Sequence, residues 1–84
     1  MFVITKDFGS KVEIVGPGNA TLTADQILNH LEAQKFRMLD DDGEVDYYGY
    51  FLGEDEFEPL DCYGLPNAGC TSIQYRRDGS WKAL

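Results

Sequence analysis

The sequence predicts an α+β fold, one helix packed on a mostly antiparallel sheet in the approximate order ββαββ-loop-ββ. Three observations predict it: short β-branched and aromatic runs of period two, Gly-containing turns that pair them, and one apolar stripe of helical period that opens on a capping box. The 84 residues are expected to make one domain, 1–84, burying only about 60–65% of its unfolded surface. Eleven aromatics within a 43% apolar composition supply large buried areas, so independent folding is expected.

Residues 1–5 and 12–15 are β-branched runs joined by KDFGSK, where Gly9 and Ser10 supply turn chemistry, and they read as a hairpin. GPGNA then breaks the chain. In the helix that follows, Thr23 is the N-cap, Gln26 completes a capping box and Leu22 can staple onto Ile27. Ala24, Ile27, Leu28 and Leu31 fall on one face, with Asp25, Asn29 and Glu32 facing water. FRMLD, a DDG turn and EVDYYGYFL form the next hairpin. By alternation, Val45, Tyr47, Gly49 and Phe51 join Phe36 and Met38 over the helix, while Glu44, Asp46, Tyr48 and Tyr50 point outward. Residues 53–70 read as a long loop, its first part mobile. TSIQYR, an Asp78-Gly79 turn and SWKAL close the chain as a last hairpin, with Ile73, Tyr75 and Trp81 as core candidates.

Charge is distributed unevenly. Ten of the fifteen acidic residues lie between positions 40 and 61, and no Lys or Arg occurs from 38 to 75. That block carries −10, and the flanks, with seven basic and five acidic residues, come to +2, which gives the net −8. Aromatics threaded through the block set it apart from a disordered acidic tail. No apolar run approaches the roughly eighteen residues of a membrane span, and MFVITKDFG lacks the pattern of a signal peptide, so a cytoplasmic setting is expected. In a reducing cytosol Cys62 and Cys70 are read as free thiols. A disulfide closing their short loop, worth roughly 2–3 kcal/mol, and a zinc site with His30 are the alternatives.

Catalytic equipment is sparse. His30, the one histidine, flanks the helix and reads as a surface or capping residue. The carboxylates fall in consecutive clusters, which is the pattern of a solvated face more than of two acids with separated pKa values in a cleft. Neither GxxxxGK[ST] nor GxGxxG after a strand is present. DDDGEVD fails as an EF-hand loop: starting at Asp40 puts Val45 where the glycine belongs and Phe51 where the bidentate glutamate belongs. The expectation is a chain that is not an enzyme and carries no cofactor or metal.

Direct nucleic-acid binding is not expected, because Lys6, Lys11, Lys35, Arg37, Arg76, Arg77 and Lys82 are scattered in sequence and Arg37 lies opposite the acidic arm of its own hairpin, where an ion pair is the simpler role. The acidic block points instead to a basic partner. Glu44 and Asp46 stand about 6.7 Å apart on one strand face, extended by Asp40, Asp41 and Asp42 at the turn. Duplex DNA carries a charge about every 3.4 Å per strand, so Glu54, Asp55, Glu56, Glu58 and Asp61 must contribute for the density to approach it. Tyr48 and Tyr50 add rigid contact area that can stack on arginines. The partner-binding set is therefore Asp40, Asp41, Asp42, Glu44, Asp46, Tyr48, Tyr50, Glu54, Asp55, Glu56 and Glu58. The competing expectation is an interaction or assembly module whose acidity serves solubility and whose contact is an apolar sheet edge. Exposed edges also leave room for a homodimer.

A chain under 100 residues with this α+β pattern and the acidic aromatic hairpin FRMLDDDGEVDYYGYF looks like the small inhibitors encoded by bacteriophages and other mobile elements, of the anti-CRISPR type. PLDCYGLPNAGCTSIQYRRDGSWKAL resembles stretches of small bacterial and phage proteins and implies no activity. The likeness lies in overall style and carries no motif residue by residue. It implies a non-enzymatic inhibitor in the bacterial cytoplasm that binds a basic nucleic-acid-binding complex, a CRISPR effector or similar, and blocks access of nucleic acid.

Overall fold

The period-two runs pair as three antiparallel hairpins laid side by side. The computed structural model describes residues 1–84. It contains β1 (Phe2–Asp7), β2 (Ser10–Gly16), α1 (Ala24–Leu28), β3 (Gln34–Leu39), β4 (Val45–Phe51), a π-helical turn (Leu60–Gly64) that runs into α2 (Leu65–Ala68), β5 (Ser72–Arg77) and β6 (Ser80–Ala83). The strands form one six-stranded sheet in the order β2-β1-β4-β3-β5-β6, antiparallel throughout. The expected α+β class holds. The β1–β2 and β5–β6 turns are two residues long, Phe8-Gly9 and Asp78-Gly79, with positive φ at all four positions, the mirror-image turn that matches strand twist.

The main core lies on one side of the sheet. Phe2, Ile4, Phe36, Met38, Tyr47, Phe51, Ile73 and Tyr75 form it with Leu60 and Cys70 from the segment above. What covers this side is not α1, as alternation led one to expect, but residues 60–68, which the sequence presents as loop. Pro66 explains both its shape and its disguise. Proline lacks an N–H and its ring crowds the carbonyl four residues back, and the helix widens to π geometry just before it, with the Leu65 N–H bonded to the Leu60 carbonyl. The helix also approaches the sheet closely. A Cβ on Gly64 would stand 2.6 Å from Met38 Sδ and 3.2 Å from Cys70 Cβ, so only glycine fits there without displacement.

The opposite side is covered at one end only. Helix α1 lies there, and its capping box forms as expected, with Thr23 Oγ1 accepting from the Gln26 N–H and Gln26 Oε1 accepting from the Thr23 N–H. Ala24 and Ile27 bury against Val3, with Met1, Val15, Leu22, Leu28 and Tyr50 around them. The helix stops at Leu28, short of the expected stripe, and Leu31 is fully exposed. Asn29 is the C-cap: its N–H makes the last helical bond to the Asp25 carbonyl, its backbone then leaves helical geometry, and its side-chain amide donates to the same carbonyl, the local side-chain bonding that favours helix ends over interiors. Five residues of helix cannot span six strands, so most of this side of the sheet stays open.

Candidate binding face

Two bulges decide which side chains reach the open side. In β1, Ile4 pairs with Gly49 but Lys6 pairs with Tyr48, so Thr5 is an extra residue. Without it, period two would place Lys6 beside Ile4 in the core; with it, Lys6 turns to the open side, its Nζ 5.9 Å from the Tyr48 ring centre. In β4 the register shifts between Met38–Tyr47 and Leu39–Val45, which makes Asp46 the extra residue. Asp46 therefore leaves the outward face predicted for it and is buried, accepting a hydrogen bond from Cys70 Sγ at 3.5 Å.

Register carries the rest. Lys35 lies across from Tyr50 and Arg37 across from Tyr48 and Gln74, while Arg76 lies across from Trp81 and Lys11 across from Lys6. Residues directly opposite in antiparallel strands share a face, so five of the seven basic residues gather on the open side. A concave groove of about 480 Å³ crosses it, lined by Thr5, Lys6, Lys35, Tyr48, Tyr50, Arg76 and Trp81. No carboxylate lines it. Trp81, expected in the core, instead leans over this side, its ring centre 6.1 Å from that of Tyr48. The Arg37 guanidinium sits 4.5 Å and that of Arg76 5.5 Å from the indole centre. Arg37 makes no ion pair with the acidic arm of its hairpin; its Nε donates to Gln74 Oε1 at 2.7 Å, which holds it under Trp81.

The acidic block is divided between the two ends of the sheet. Asp40 Oδ1 accepts from the Asp42 and Glu44 N–H groups at 2.9 and 3.0 Å, fixing a turn from which Asp41, Asp42 and Glu44 project into solvent. Strand β4 then runs its length of about 20 Å before the second cluster begins. There Glu54 and Asp55 are exposed, Glu56 pairs with Arg77, and Glu58 pairs with the Met1 ammonium at 2.9 Å. Tyr48 and Tyr50 sit on the cationic side between these ends, so the predicted single acidic and aromatic surface is not assembled. Residues 53–59 are tied to the rest of the fold at Glu56, whose carbonyl accepts from the buried Tyr75 hydroxyl at 2.7 Å, and at Glu58 through the Met1 ammonium.

His30 is exposed, its Nδ1 accepting from the Glu32 N–H at 3.1 Å. No three His, Cys, Asp or Glu side chains converge on a point that could hold a metal ion. The cysteines are free, Cys62 exposed and Cys70 buried. Burial, the Asp46 hydrogen bond and the Asp46 charge push the Cys70 thiol up to about 12. Partial desolvation and the charges of Glu58, Asp61 and Asp55 also raise Cys62. The thiolate is the reactive form, so a disulfide-exchange reagent at pH 8 is expected to titrate one thiol per native chain, more slowly than free cysteine, and the second only after unfolding. Two equivalents reacting quickly with the native protein would contradict the burial of Cys70.

Lys6, Lys35, Arg76 and Trp81 are the site residues that sequence reasoning passed over. A signal for three of them was present: Lys35 and Arg37 alternate with Phe36 and Met38, Gln74 and Arg76 alternate with Ile73 and Tyr75, and the tight Asp78-Gly79 turn sets Trp81 opposite Arg76. No helix is long and apolar enough to cross a membrane. No protein-family model, no curated protein and no solved structure matches this chain.

Proposed function

We propose that this chain is a non-enzymatic binding module whose working surface is the open side of its sheet and whose partner is anionic. The observation that carries this is the groove with three cations and three rings and no carboxylate in its lining. The two ion pairs of the molecule are elsewhere, so Lys6, Lys35 and Arg76 are uncompensated. A net charge of −8 is no obstacle, because a cleft lined by one sign focuses its own field and exposed charges more than about 8 Å away are largely screened at physiological salt. The test is retention on an anionic phosphocellulose matrix at about 0.1–0.15 M salt, where the acidic ends are screened, against the sign of the net charge. The wild type is expected to be retained, the Lys6→Glu/Lys35→Glu/Arg76→Glu variant to flow through, and the Asp41→Asn/Asp42→Asn/Glu44→Gln variant to be retained. Flow-through of the wild type sinks the reading.

A second reading keeps the acidic end as the contact: an inhibitor that occupies the basic groove of a nucleic-acid-binding complex, a CRISPR effector or similar. The rigid turn that projects Asp41, Asp42 and Glu44 favours it. The distance to Glu54 and Asp55 limits the charge density that one contact would meet. Under this reading the two variants exchange roles, with neutralisation of the turn abolishing capture of the basic partner and reversal of the open side leaving it intact.

A further inference from the structure

Resting on the open-side reading, we infer that the anionic partner is a single-stranded nucleic acid, its phosphates on Lys6, Lys35 and Arg76 and its bases against Tyr48, Tyr50 and Trp81. Cations alone would suit any polyanion. The groove interleaves them with rings, the lining a ligand meets when charge and flat π faces alternate along it.

An acidic peptide offers charge without a flat face at each repeat, and would leave three aromatic side chains of the lining without a matching group. A duplex offers phosphates but keeps its base faces inside its own stack. It is also stiff, and straight continuation past the groove along the strands would carry its phosphates toward Asp41, Asp42 and Glu44 at one end or Glu54 and Asp55 at the other. A flexible single strand can instead cross the sheet from β1 to β6, over Lys6, Tyr48, Lys35, Arg76 and Trp81, without reaching either acidic end. Five strands span about 19 Å at roughly 4.8 Å per step, a short site on the order of four nucleotides, the lower end for single-strand-binding folds. Arg37 is a positioning residue in this arrangement. Its Gln74 hydrogen bond and its place against the indole hold the Trp81 ring over the sheet.

Trp81 is the one tryptophan of the chain and reports directly. Titration of the wild-type protein with short oligothymidylate and oligouridylate is expected to quench its emission saturably, the two strands showing whether the sugar matters. The observed association constant is expected to fall with salt at a log–log slope near −2, about 0.7 for each of three neutralised phosphates. Inorganic polyphosphate, poly-glutamate and a duplex of the same sequence are expected to bind at least about tenfold more weakly, since stacking is worth roughly a factor of ten per base. Lys35→Gln and Arg76→Gln, both at exposed positions, should each weaken the single strand severalfold and flatten the slope. Trp81→Leu is read by anisotropy of a labelled strand and should cost about tenfold, with far-ultraviolet dichroism confirming that the sheet persists. Equal binding of polyphosphate or poly-glutamate, sensitive to Lys35→Gln and Arg76→Gln, would overturn the nucleic acid and leave the open side standing as an anion site. Absence of binding by every anion would overturn both.

Discussion

Replacing Gly49 by alanine is expected to destabilise the protein by about 3 kcal/mol or more, which for a domain of this size lowers the melting temperature by roughly 15 °C or more. Gly49 sits in β4, between Ile4 on one side and Phe36 on the other. A Cβ there would collide with the carbonyl oxygen of Val3 and stand 2.6 Å from Cζ of Phe36. The Phe36 ring occupies the space that a side chain would fill, the close approach that interior strand glycines mark. A ring can rotate away, but the Val3 oxygen belongs to the sheet itself. Gly49→Ala combined with Phe36→Leu should therefore recover only part of the loss, and the measurement is thermal unfolding of the single and double variants. A drop of only a few degrees for Gly49→Ala, or full rescue by Phe36→Leu, would show that the backbone contact is not the cause.

The sequence made the three hairpins and the capping box legible because each is set by short-range chemistry: alternation, a tight Gly turn, a side chain reaching three residues. Faces were harder to read. Strict period two assumes no inserted residue, and the bulges at Thr5 and Asp46 each reverse that parity, bringing Lys6 out and Asp46 in. No local signal in VITK or EVDYY announces an insertion, since it is fixed by pairing with other strands. The covering helix was hidden for a different reason. YGLPNAG has the composition of a turn, and its helix forms because Leu60, Tyr63, Gly64 and Ala68 bury against a sheet already assembled, where tertiary packing outweighs weak propensity.

Charge was the feature most altered by folding. Along the chain the −10 block is contiguous and the cations are dispersed. In space the reverse holds: β4 carries the acids to opposite ends of the sheet, while the order β2-β1-β4-β3-β5-β6 draws Lys6, Lys11, Lys35, Arg37 and Arg76 onto one side. Under the proposed open-side reading, acids at the ends would repel rigid polyanions and leave a lateral path for a flexible one, which would give the acidic composition a part in selecting what enters the groove.

Alkaline unfolding is the second large effect expected. Burial, then the Asp7 carboxylate, pushes the Tyr47 phenol up to about 12. Burial and Glu56 raise Tyr75 further, and burial with Asp7 raises Tyr63. In the unfolded chain these phenols titrate near 10.0 and the Cys70 thiol near 9.0. Above those values the unfolded chain gives up protons that the folded chain keeps, so the unfolded state binds fewer protons and stability falls as pH rises. The contribution is complete below pH 9 to 10 and is lost as pH climbs through the folded values. Each fully buried group adds about 1.4 kcal/mol per pH unit to the decline. Tyr47, Tyr75 and Cys70 together approach about 4 kcal/mol per unit above pH 10, against a total stability of roughly 4–13 kcal/mol for a chain this long. Unfolding is therefore expected between about pH 11 and 12, seen as simultaneous loss of near-ultraviolet dichroism and appearance of the tyrosinate absorbance of Tyr47, Tyr63 and Tyr75. A smooth titration of Tyr47 and Tyr75 near pH 10, with the dichroism unchanged, would mean that their phenols are not sealed beneath the 60–68 helix and the loop before it.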